Sequence, residues 1–143
     1  MHPTKPAALR LGDTVGIISP SWFGGVSFQH RLERGIRQIE ALGFRTRIGT
    51  HALRNAGWVS ASPADRVSDL HDMFQDPEVR AVIATIGGDH ACQLLPLIDW
   101  NLIRDNPKIF MGFSDITVLN VAIWTETGMV TNNWPSVMTD WAE

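Results

Sequence analysis

Residues 108–117 have the sequence KIFMGFSDIT, and this stretch sets the expected fold of the whole chain. The apolar run from Ile109 to Met111 is typical of a buried strand, and it stops at Gly112. An apolar helical pattern begins just after Asp115. Ser114 is therefore predicted to lie at a sharp turn between a strand and a helix. Its hydroxyl would be near the positive end of the helix dipole, where some hydrolases place a nucleophilic serine.

The same alternation of strand and helix runs along the rest of the chain. The apolar periodicity predicts strands over residues 14–18, 44–48, 79–86, 109–111 and 129–131. It predicts helices over residues 28–42, 62–75, 90–97 and 116–127, with a helical turn over 99–106 and an irregular segment over 134–143. Ser62 is the expected cap of the second helix, with Pro63 at its first position, and Gly128 is the expected end of the fourth. This order predicts an α/β fold with a doubly wound, mostly parallel sheet of about five strands. The expected domain is flavodoxin-like or class I amidotransferase-like.

Composition limits the possible classes of protein. The 143 residues suffice for one ordinary domain, and 44% hydrophobic with 19% charged residues describe a soluble globular chain. The net charge of −3 does not favour nucleic acid or an anionic membrane as partner. The single cysteine, Cys92, excludes an internal disulfide, and no Cys/His cluster has the spacing of zinc ligands. We expect no metal and no cofactor.

The N-terminal residues 1–12 are interpreted as an extension that precedes the domain. They contain Pro3 and Pro6 and no apolar core, so they do not resemble a signal peptide. No apolar run approaches the roughly 20 residues that span a bilayer. The expected location is the cytoplasm.

Three turns are predicted to meet at one edge of the sheet, where ligands bind in doubly wound folds. They follow the carboxyl ends of strands and cover Ser19–Gly25, Gly87–His90 and Gly112–Asp115. Loop tryptophans at positions 22, 58 and 134 are expected at the same edge. Trp22 and Trp134, with Gly87, are candidate substrate contacts, although loop tryptophans can also pack against protein that is missing from the chain.

The local sequence leaves other interpretations open. Ser114 could be a helix cap, and the hydrolase elbow Gly-x-Ser-x-Gly is incomplete because Ile116 takes the second glycine position. The pair Gly87-Gly88 could present a backbone N–H to a ligand or simply form a tight turn. His90, after Asp89, could be a base, a metal ligand or a surface residue.

Two further features have simple structural interpretations. Cys92 is predicted to be a small buried hydrophobic residue in preference to a nucleophile. Arg66 and Asp69, three residues apart on one helix, could form an exposed ion pair.

The motifs together resemble the LD-carboxypeptidase family of serine peptidases, and most closely its branch of microcin C immunity peptidases. They cover most of residues 9–139 in order. The segments that carry the resemblance are Leu11–Asp13, Ile17–Ser21, Asp65–Leu70, Phe74–Val79, Ala84–Gly88, Leu94–Asp99, Asn106–Lys108 and Gly112–Thr117. Ile86, where many LD-carboxypeptidases have arginine, favours the microcin branch.

The resemblance implies that Ser114 is the nucleophile of a Ser-Glu-His triad. It also implies an oxyanion hole made of the backbone N–H groups of Gly88 and Asp115. The implied substrates have an amide bond near a free carboxylate. They are the tetrapeptide of cell-wall precursors or aminoacyl-adenylate-like antibiotics. Members of the family tend to form homodimers.

The chain departs from the family in length. Members are about twice as long, and their catalytic glutamate and histidine lie in a second, C-terminal domain. Of the five histidines at positions 2, 30, 51, 71 and 90, only His90 is expected near Ser114, and it does not match the family's base. We therefore expect residues 13–143 to be the nucleophile-bearing domain of a two-domain peptidase, inactive alone. Apolar surface that the second domain would cover is then expected to be exposed near Trp134 to Trp141.

Two alternatives remain at this point. The chain could be a stand-alone flavodoxin-like module that binds an anion or small molecule without catalysis. It could also be a glutamine-amidotransferase-like hydrolase that uses Cys92, although this cysteine is predicted within a helix.

Overall fold

The sheet contains five parallel strands in the order β2-β1-β3-β4-β5, as determined from a computed structural model that describes residues 3–143. The strands are β1 (Thr14–Ile18), β2 (Arg45–Ile48), β3 (Val79–Ala84), β4 (Ile109–Gly112) and β5 (Asn132–Asn133). This is the flavodoxin-like order of a doubly wound fold. The predicted fold class is confirmed.

Within residues 3–143, five α-helices and three short 3₁₀ helices connect and flank the strands. The α-helices are α1 (Gly24–Ser27), α2 (Gln29–Ala41), α3 (Pro63–Gln75), α4 (Trp100–Asp105) and α5 (Thr117–Thr127). The 3₁₀ helices are Ala91–Leu97, Ser114–Ile116 and Asp140–Ala142. No helix among residues 3–143 is long and apolar enough to cross a membrane.

The sheet separates two hydrophobic cores. Successive residues of β3 point to opposite faces, so that Val82 and Ala84 enter one core while Ala81 and Ile83 enter the other. The first core is covered by α3, α4, α5 and the 3₁₀ helix at 91–97, and the second by α2 and the C-terminal segment. Burial on both faces explains the continuous apolar sequence of β3.

Helix ends follow the signals in the sequence. The Ser62 hydroxyl accepts a hydrogen bond from the backbone N–H of Asp65 at 3.1 Å, and Pro63 is the first residue of α3. Gly128, with φ of 74°, ends α5 in the left-handed conformation. These local predictions are confirmed.

The fifth strand begins three residues later than the sequence predicts. Residues 129–131 were predicted as a strand, but β5 is Asn132–Asn133, which pairs with Met111 and Gly112 of β4. Met129 instead forms a parallel bridge with Thr4. The predicted N-terminal extension thus contacts this region, while its residues Met1 and His2 lie outside the described residues.

The C-terminal segment, residues 134–143, was expected to be irregular, with exposed apolar surface near Trp134 to Trp141. It crosses the carboxyl ends of the strands, and the amides of Val137 and Met138 donate to the carbonyls of Ala84 and Thr85 at 3.0 Å. Both side chains are buried, whereas Trp134 is 61% exposed. The expectation holds for Trp134 only.

Candidate active site

Ser114 is the first residue of the 3₁₀ helix Ser114–Ile116, at the sharp turn that connects β4 to α5. Its φ of 59° is the only positive φ at a non-glycine residue within residues 3–143. Its side chain is exposed and does not cap the helix that follows. The interpretation of Ser114 as a helix cap is therefore wrong. A left-handed conformation in a non-glycine residue costs about 1–3 kcal/mol and often accompanies function.

Close packing behind the turn fixes this conformation. The Cγ2 atom of Ile116 lies so near Gly112 that a Cβ atom there would be 2.6 Å from it. The side-chain amide of Asn120, buried in α5, donates to the carbonyl of Gly112 at 2.8 Å. These contacts bind the end of β4 to the start of α5, with Ser114 at the apex.

The glycine pair after β3 lies beside Ser114. A Cβ atom at Gly87 would be 3.4 Å from Cβ of Ser114 and 3.5 Å from the backbone nitrogen of Asp115. Gly88 has a φ of 151°, and a Cβ atom on it would lie 2.4 Å from the Ser21 hydroxyl oxygen. The turns after β1, β3 and β4 therefore meet, as predicted. Close approach and a positive φ require a glycine at position 88, whereas Gly87 has ordinary contact distances around it.

Two backbone amides near Ser114 are free to donate. Within residues 3–143, neither the N–H of Gly88 nor that of Asp115 has a hydrogen-bond acceptor. Asp115 is in the first turn of its helix, where N–H groups have no partner inside the helix. Such a pair of donors can bind a negatively charged oxygen.

The Asp115 side chain, which sequence reasoning did not consider, anchors the neighbouring turn. Its Oδ2 accepts hydrogen bonds from the backbone N–H groups of His90 and Ala91, both at 3.0 Å. The Ser21 hydroxyl accepts a further bond from the N–H of His90 at 3.0 Å. The acid directly after Ser114 thus ties the turn after β3 to the turn after β4. The only signal in the sequence was its place in the motif.

Arg66 and Asp69 do not form an exposed ion pair, because each side chain is buried with 2% exposure. Arg66 donates to the carbonyls of Pro20, Ala61 and His90. The carboxylate of Asp69 accepts hydrogen bonds from the backbone N–H and from ring Nδ1 of His51. The prediction failed because helical spacing gives proximity but not burial.

Burial lowers the pKa of the Arg66 guanidinium, while the negative charge of Asp115 opposes this shift. An arginine remains charged under such conditions. The positive charge of Arg66 therefore lies between the turns after β1 and β3, close enough to Asp115 for the two charges to interact.

The described residues, 3–143, place no general base in hydrogen-bond contact with the Ser114 hydroxyl. Within residues 3–143, no side chain makes a hydrogen bond to its hydroxyl, and the contacts of His90 described above involve its backbone. Asp89 is exposed. In the same part of the chain no group of three His, Cys, Asp or Glu side chains could hold a metal ion.

Cys92 is exposed on the 3₁₀ helix Ala91–Leu97, so its predicted burial is wrong. This helix has too few turns to hide every apolar residue, and only Ala91 and Leu94 are buried within it. The cysteine does not lie at a strand-to-helix turn, which disfavours its use as a nucleophile.

The loop tryptophans lie in different surroundings. Trp134 lines a cavity of about 180 Å³ together with Phe113, the residue before Ser114. The Trp22 ring packs in a cluster with Phe23 and Phe28, at centroid distances of 5.5 and 6.0 Å. The backbone N–H of Trp22 donates to the carbonyl of Gly87. Trp58 is 72% exposed. A larger groove of about 500 Å³, beside α3, contains none of the predicted site residues.

Comparison with known proteins gives carboxypeptidases and a microcin self-immunity protein among the relatives of this chain. The chain is 40% identical over 136 residues to a probable murein peptide carboxypeptidase of Bacillus subtilis. The matched region is 95% of this chain and 42% of that protein. It is 32% identical over 142 residues to the Microcin C7 self-immunity protein MccF of Escherichia coli. This match covers 99% of this chain and 41% of MccF. The chain thus spans about two fifths of the length of these relatives.

Solved structures agree. MccF in its apo state superposes with a TM-score of 0.96 at 31% identity, covering 99% of this chain and 42% of that one. An MccF-like protein from Bacillus anthracis superposes with a TM-score of 0.91 at 40% identity, covering 97% of this chain and 42% of that one. MccF has also been solved with aspartyl sulfamoyl adenosine, and as an active-site mutant in which a serine, an asparagine and a lysine are alanine.

The model of the LD-carboxypeptidase N-terminal domain matches residues 15–133. The predicted resemblance is confirmed. This chain belongs to the LD-carboxypeptidase family.

Proposed function

We propose that residues 13–143 are the nucleophile-bearing domain of a serine peptidase that cleaves an amide bond near a free carboxylate. The observation that carries the proposal is the strained, exposed Ser114 beside two unpaired backbone N–H groups. Membership of a carboxypeptidase family and the active-site serine of MccF support it.

In the proposed reaction, the Ser114 hydroxyl oxygen attacks the carbonyl carbon while a base takes the hydroxyl proton. The carbonyl oxygen becomes negatively charged and accepts hydrogen bonds from the N–H groups of Gly88 and Asp115. Collapse of this intermediate breaks the C–N bond, and the base returns the proton to the departing amine. Water then hydrolyses the acyl–serine ester. Removing one such donor typically costs about 3–4 kcal/mol of the barrier.

The base and the carboxylate that orients it are proposed to come from a second domain. Relatives are more than twice as long as this chain, and the part that it matches is about two fifths of each. Alone, Ser114 would be a weak nucleophile at neutral pH. The isolated domain is therefore expected to turn over slowly or not at all.

The substrate is proposed to be a murein-type peptide or an aminoacyl nucleotide. The names of the relatives support the first, and the nucleotide analogue bound by MccF supports the second. Gly87 leaves room for the scissile group beside Ser114, and Trp134 with Phe113 would hold a planar or apolar part of the substrate. Trp22 would shape the other side of the site. The complete protein is further proposed to be a cytoplasmic homodimer.

The test compares wild-type protein with Ser114→Ala, using Ser68→Ala on the exposed side of α3 as the matched control. Each is assayed with an LD-tetrapeptide and with aspartyl sulfamoyl adenosine, alone and mixed with the remaining C-terminal part of the B. subtilis relative. We expect Ser114→Ala to lower kcat at least about 10³-fold, as is usual for loss of a nucleophile. Undiminished hydrolysis by Ser114→Ala would refute the proposal.

The binding-module alternative is favoured by one observation, the lack of a base on Ser114 within residues 3–143. It predicts that AMP or a carboxylate binds to the Gly87–Ser114 region without hydrolysis, even when the complementing domain is present. Calorimetric titration of wild-type protein and a Gly87→Val variant, run beside the activity assay, separates the two functions.

A further inference from the structure

The backbone of His90 is held between two opposite charges. Its carbonyl accepts a hydrogen bond from Arg66 Nη1 at 3.2 Å, and its N–H donates to Asp115 Oδ2 at 3.0 Å. The same carboxylate oxygen accepts from the N–H of Ala91 at 3.0 Å. Hydrogen bonds to ionised groups are about twice as strong as those between neutral groups. The end of the turn after β3 is thereby fixed from two sides.

Arg66 connects three separate segments. Besides His90, its guanidinium donates to the carbonyl of Pro20 at 2.7 Å, to that of Ala61 at 3.0 Å and to the side-chain oxygen of Gln93 at 2.5 Å. A guanidinium with 2% exposure needs such partners, because a buried charge without them is very costly. A lysine could not reproduce this fork of donors.

The start of the same turn is anchored separately. The N–H of Trp22 donates to the carbonyl of Gly87 at 3.3 Å. The Gly88 N–H therefore lies between anchors on both sides while having no acceptor of its own within residues 3–143. In a catalytic site a displacement of about 1 Å can cost 10²-fold in rate, so the stiffness of these anchors matters.

We propose that Arg66 and the Asp115 carboxylate are positioning residues, which hold the Gly88 N–H toward Ser114. The proposal rests on the function proposed above, in which this N–H binds the oxyanion. Neither side chain needs to touch the substrate, since both act through the backbone of His90. The oxyanion exists in the transition state and not in the bound substrate. Loss of either residue therefore lowers kcat and leaves KM unchanged.

The experiment measures kcat, KM and thermal unfolding for Arg66→Lys and Asp115→Asn in the full chain, assayed with the complementing domain. Asp115→Asn keeps an acceptor oxygen and the backbone donor but removes the charge. We expect kcat to fall about 10–100-fold, within the range for a displaced oxyanion donor. KM should stay within about twofold and the melting temperature within a few degrees.

Matched controls separate positioning from general stability. Asp99→Asn alters a carboxylate whose Oδ1 also accepts two consecutive backbone N–H groups, those of Asn101 and Leu102. Arg31→Lys alters an arginine that donates to the carbonyl of Met138. Both controls should change kcat less than about twofold. If Arg66→Lys does not fold, Asp115→Asn and Asp115→Ala decide the question.

Ser114→Ala in the same series distinguishes the two proposals. If Ser114→Ala abolishes hydrolysis while folded Asp115→Asn and Arg66→Lys keep wild-type kcat, the positioning role is refuted and the nucleophile stands. A rise in KM at constant kcat also refutes it, because the residues would then act on substrate binding. If Ser114→Ala keeps full activity, the proposed function fails, and the positioning role fails with it.

Discussion

The Cγ2 methyl of Ile116 packs against the backbone of Gly112, so that a Cβ atom at residue 112 would lie 2.6 Å from it. This contact explains why the Ser114 turn can have isoleucine, Ile116, at the position of the second glycine in the elbow Gly-x-Ser-x-Gly. The turn needs one position without a side chain where strand and helix cross, and Gly112 supplies it.

A double-mutant cycle tests this contact. Gly112→Ala should lower the free energy of unfolding by about 1–3 kcal/mol through overpacking. Ile116→Ala alone should cost about 2–5 kcal/mol through the cavity that it leaves. In the double variant, the loss from Gly112→Ala should be smaller than in the wild-type background, because the Cγ2 methyl at 2.6 Å is gone, while Cβ of Ile116 at 3.0 Å and Cβ of Ala84 at 3.3 Å remain. Urea unfolding measures all four proteins, and strictly additive losses would contradict the contact.

Ser114 should reverse the usual ranking of alanine and glycine. At its φ of 59°, glycine is unstrained and alanine is not. We therefore expect Ser114→Gly to be more stable than Ser114→Ala by about 1 kcal/mol. At the exposed helical position Ser68, the order should be the opposite by a similar amount. Chemical denaturation of the four variants measures both differences, and equal rankings at the two sites would refute the strain.

The two adjacent glycines should respond differently to alanine. At Gly88 the φ of 151° and the 2.4 Å approach to the Ser21 oxygen make any side chain strained. Gly88→Ala should cost about 1–3 kcal/mol of stability, whereas Gly87→Ala, at ordinary contact distance from Ser114, should cost less than about 1 kcal/mol. Thermal unfolding distinguishes them, and equal losses would contradict this geometry.

Trp134 should contribute to nucleotide binding if the proposed substrate class is right. Stacking of a base on an aromatic ring is worth roughly 1–3 kcal/mol, so Trp134→Ala should weaken AMP binding by about 5–150-fold. Trp58, which is more exposed and lines none of the cavities described, provides the control. Calorimetric titration measures both dissociation constants. An equal effect of the two variants would exclude a specific role for Trp134.

Lys108 should make stability depend on pH. Burial, together with repulsion from Arg80, lowers the pKa of its ammonium group from 10.5 to about 8. Between these values the unfolded state binds more protons than the folded state, so the free energy of unfolding rises with pH. Below about 8 both states are protonated, and this dependence disappears.

Urea unfolding of wild-type protein and Lys108→Met at pH 7.5, 9 and 10 measures this effect. The stability of wild-type protein should increase relative to the variant as the pH rises. Lys108→Met also removes the bonds of Nζ to the carbonyls of Met73 and Asp76, but that loss alone would not follow this pH course. Lys5→Met, at an exposed lysine, should behave as wild type. Parallel curves for Lys108→Met and wild type would refute the shifted pKa.

The sequence by itself determined the fold class and the family, because both depend on local pattern and on the order of motifs. The period of apolar residues distinguishes strand from helix within a few neighbours, as in β3 and α3. Capping by Ser62 and the stop at Gly128 were readable for the same reason. The Ser114 turn could be located from the adjacent strand and helix alone.

The tertiary structure decided which distant groups meet. The sequence around Met129 predicts a strand, but Met129 pairs only with Thr4, in a contact that depends on the path of the N-terminal segment. The strand that pairs with β4 is Asn132–Asn133. The burial of Arg66 and its bonds to three segments could not be inferred from helical spacing. Only packing, which brings residues far apart in sequence into contact, placed this charge and the Asp115 carboxylate on either side of the turn beside Ser114.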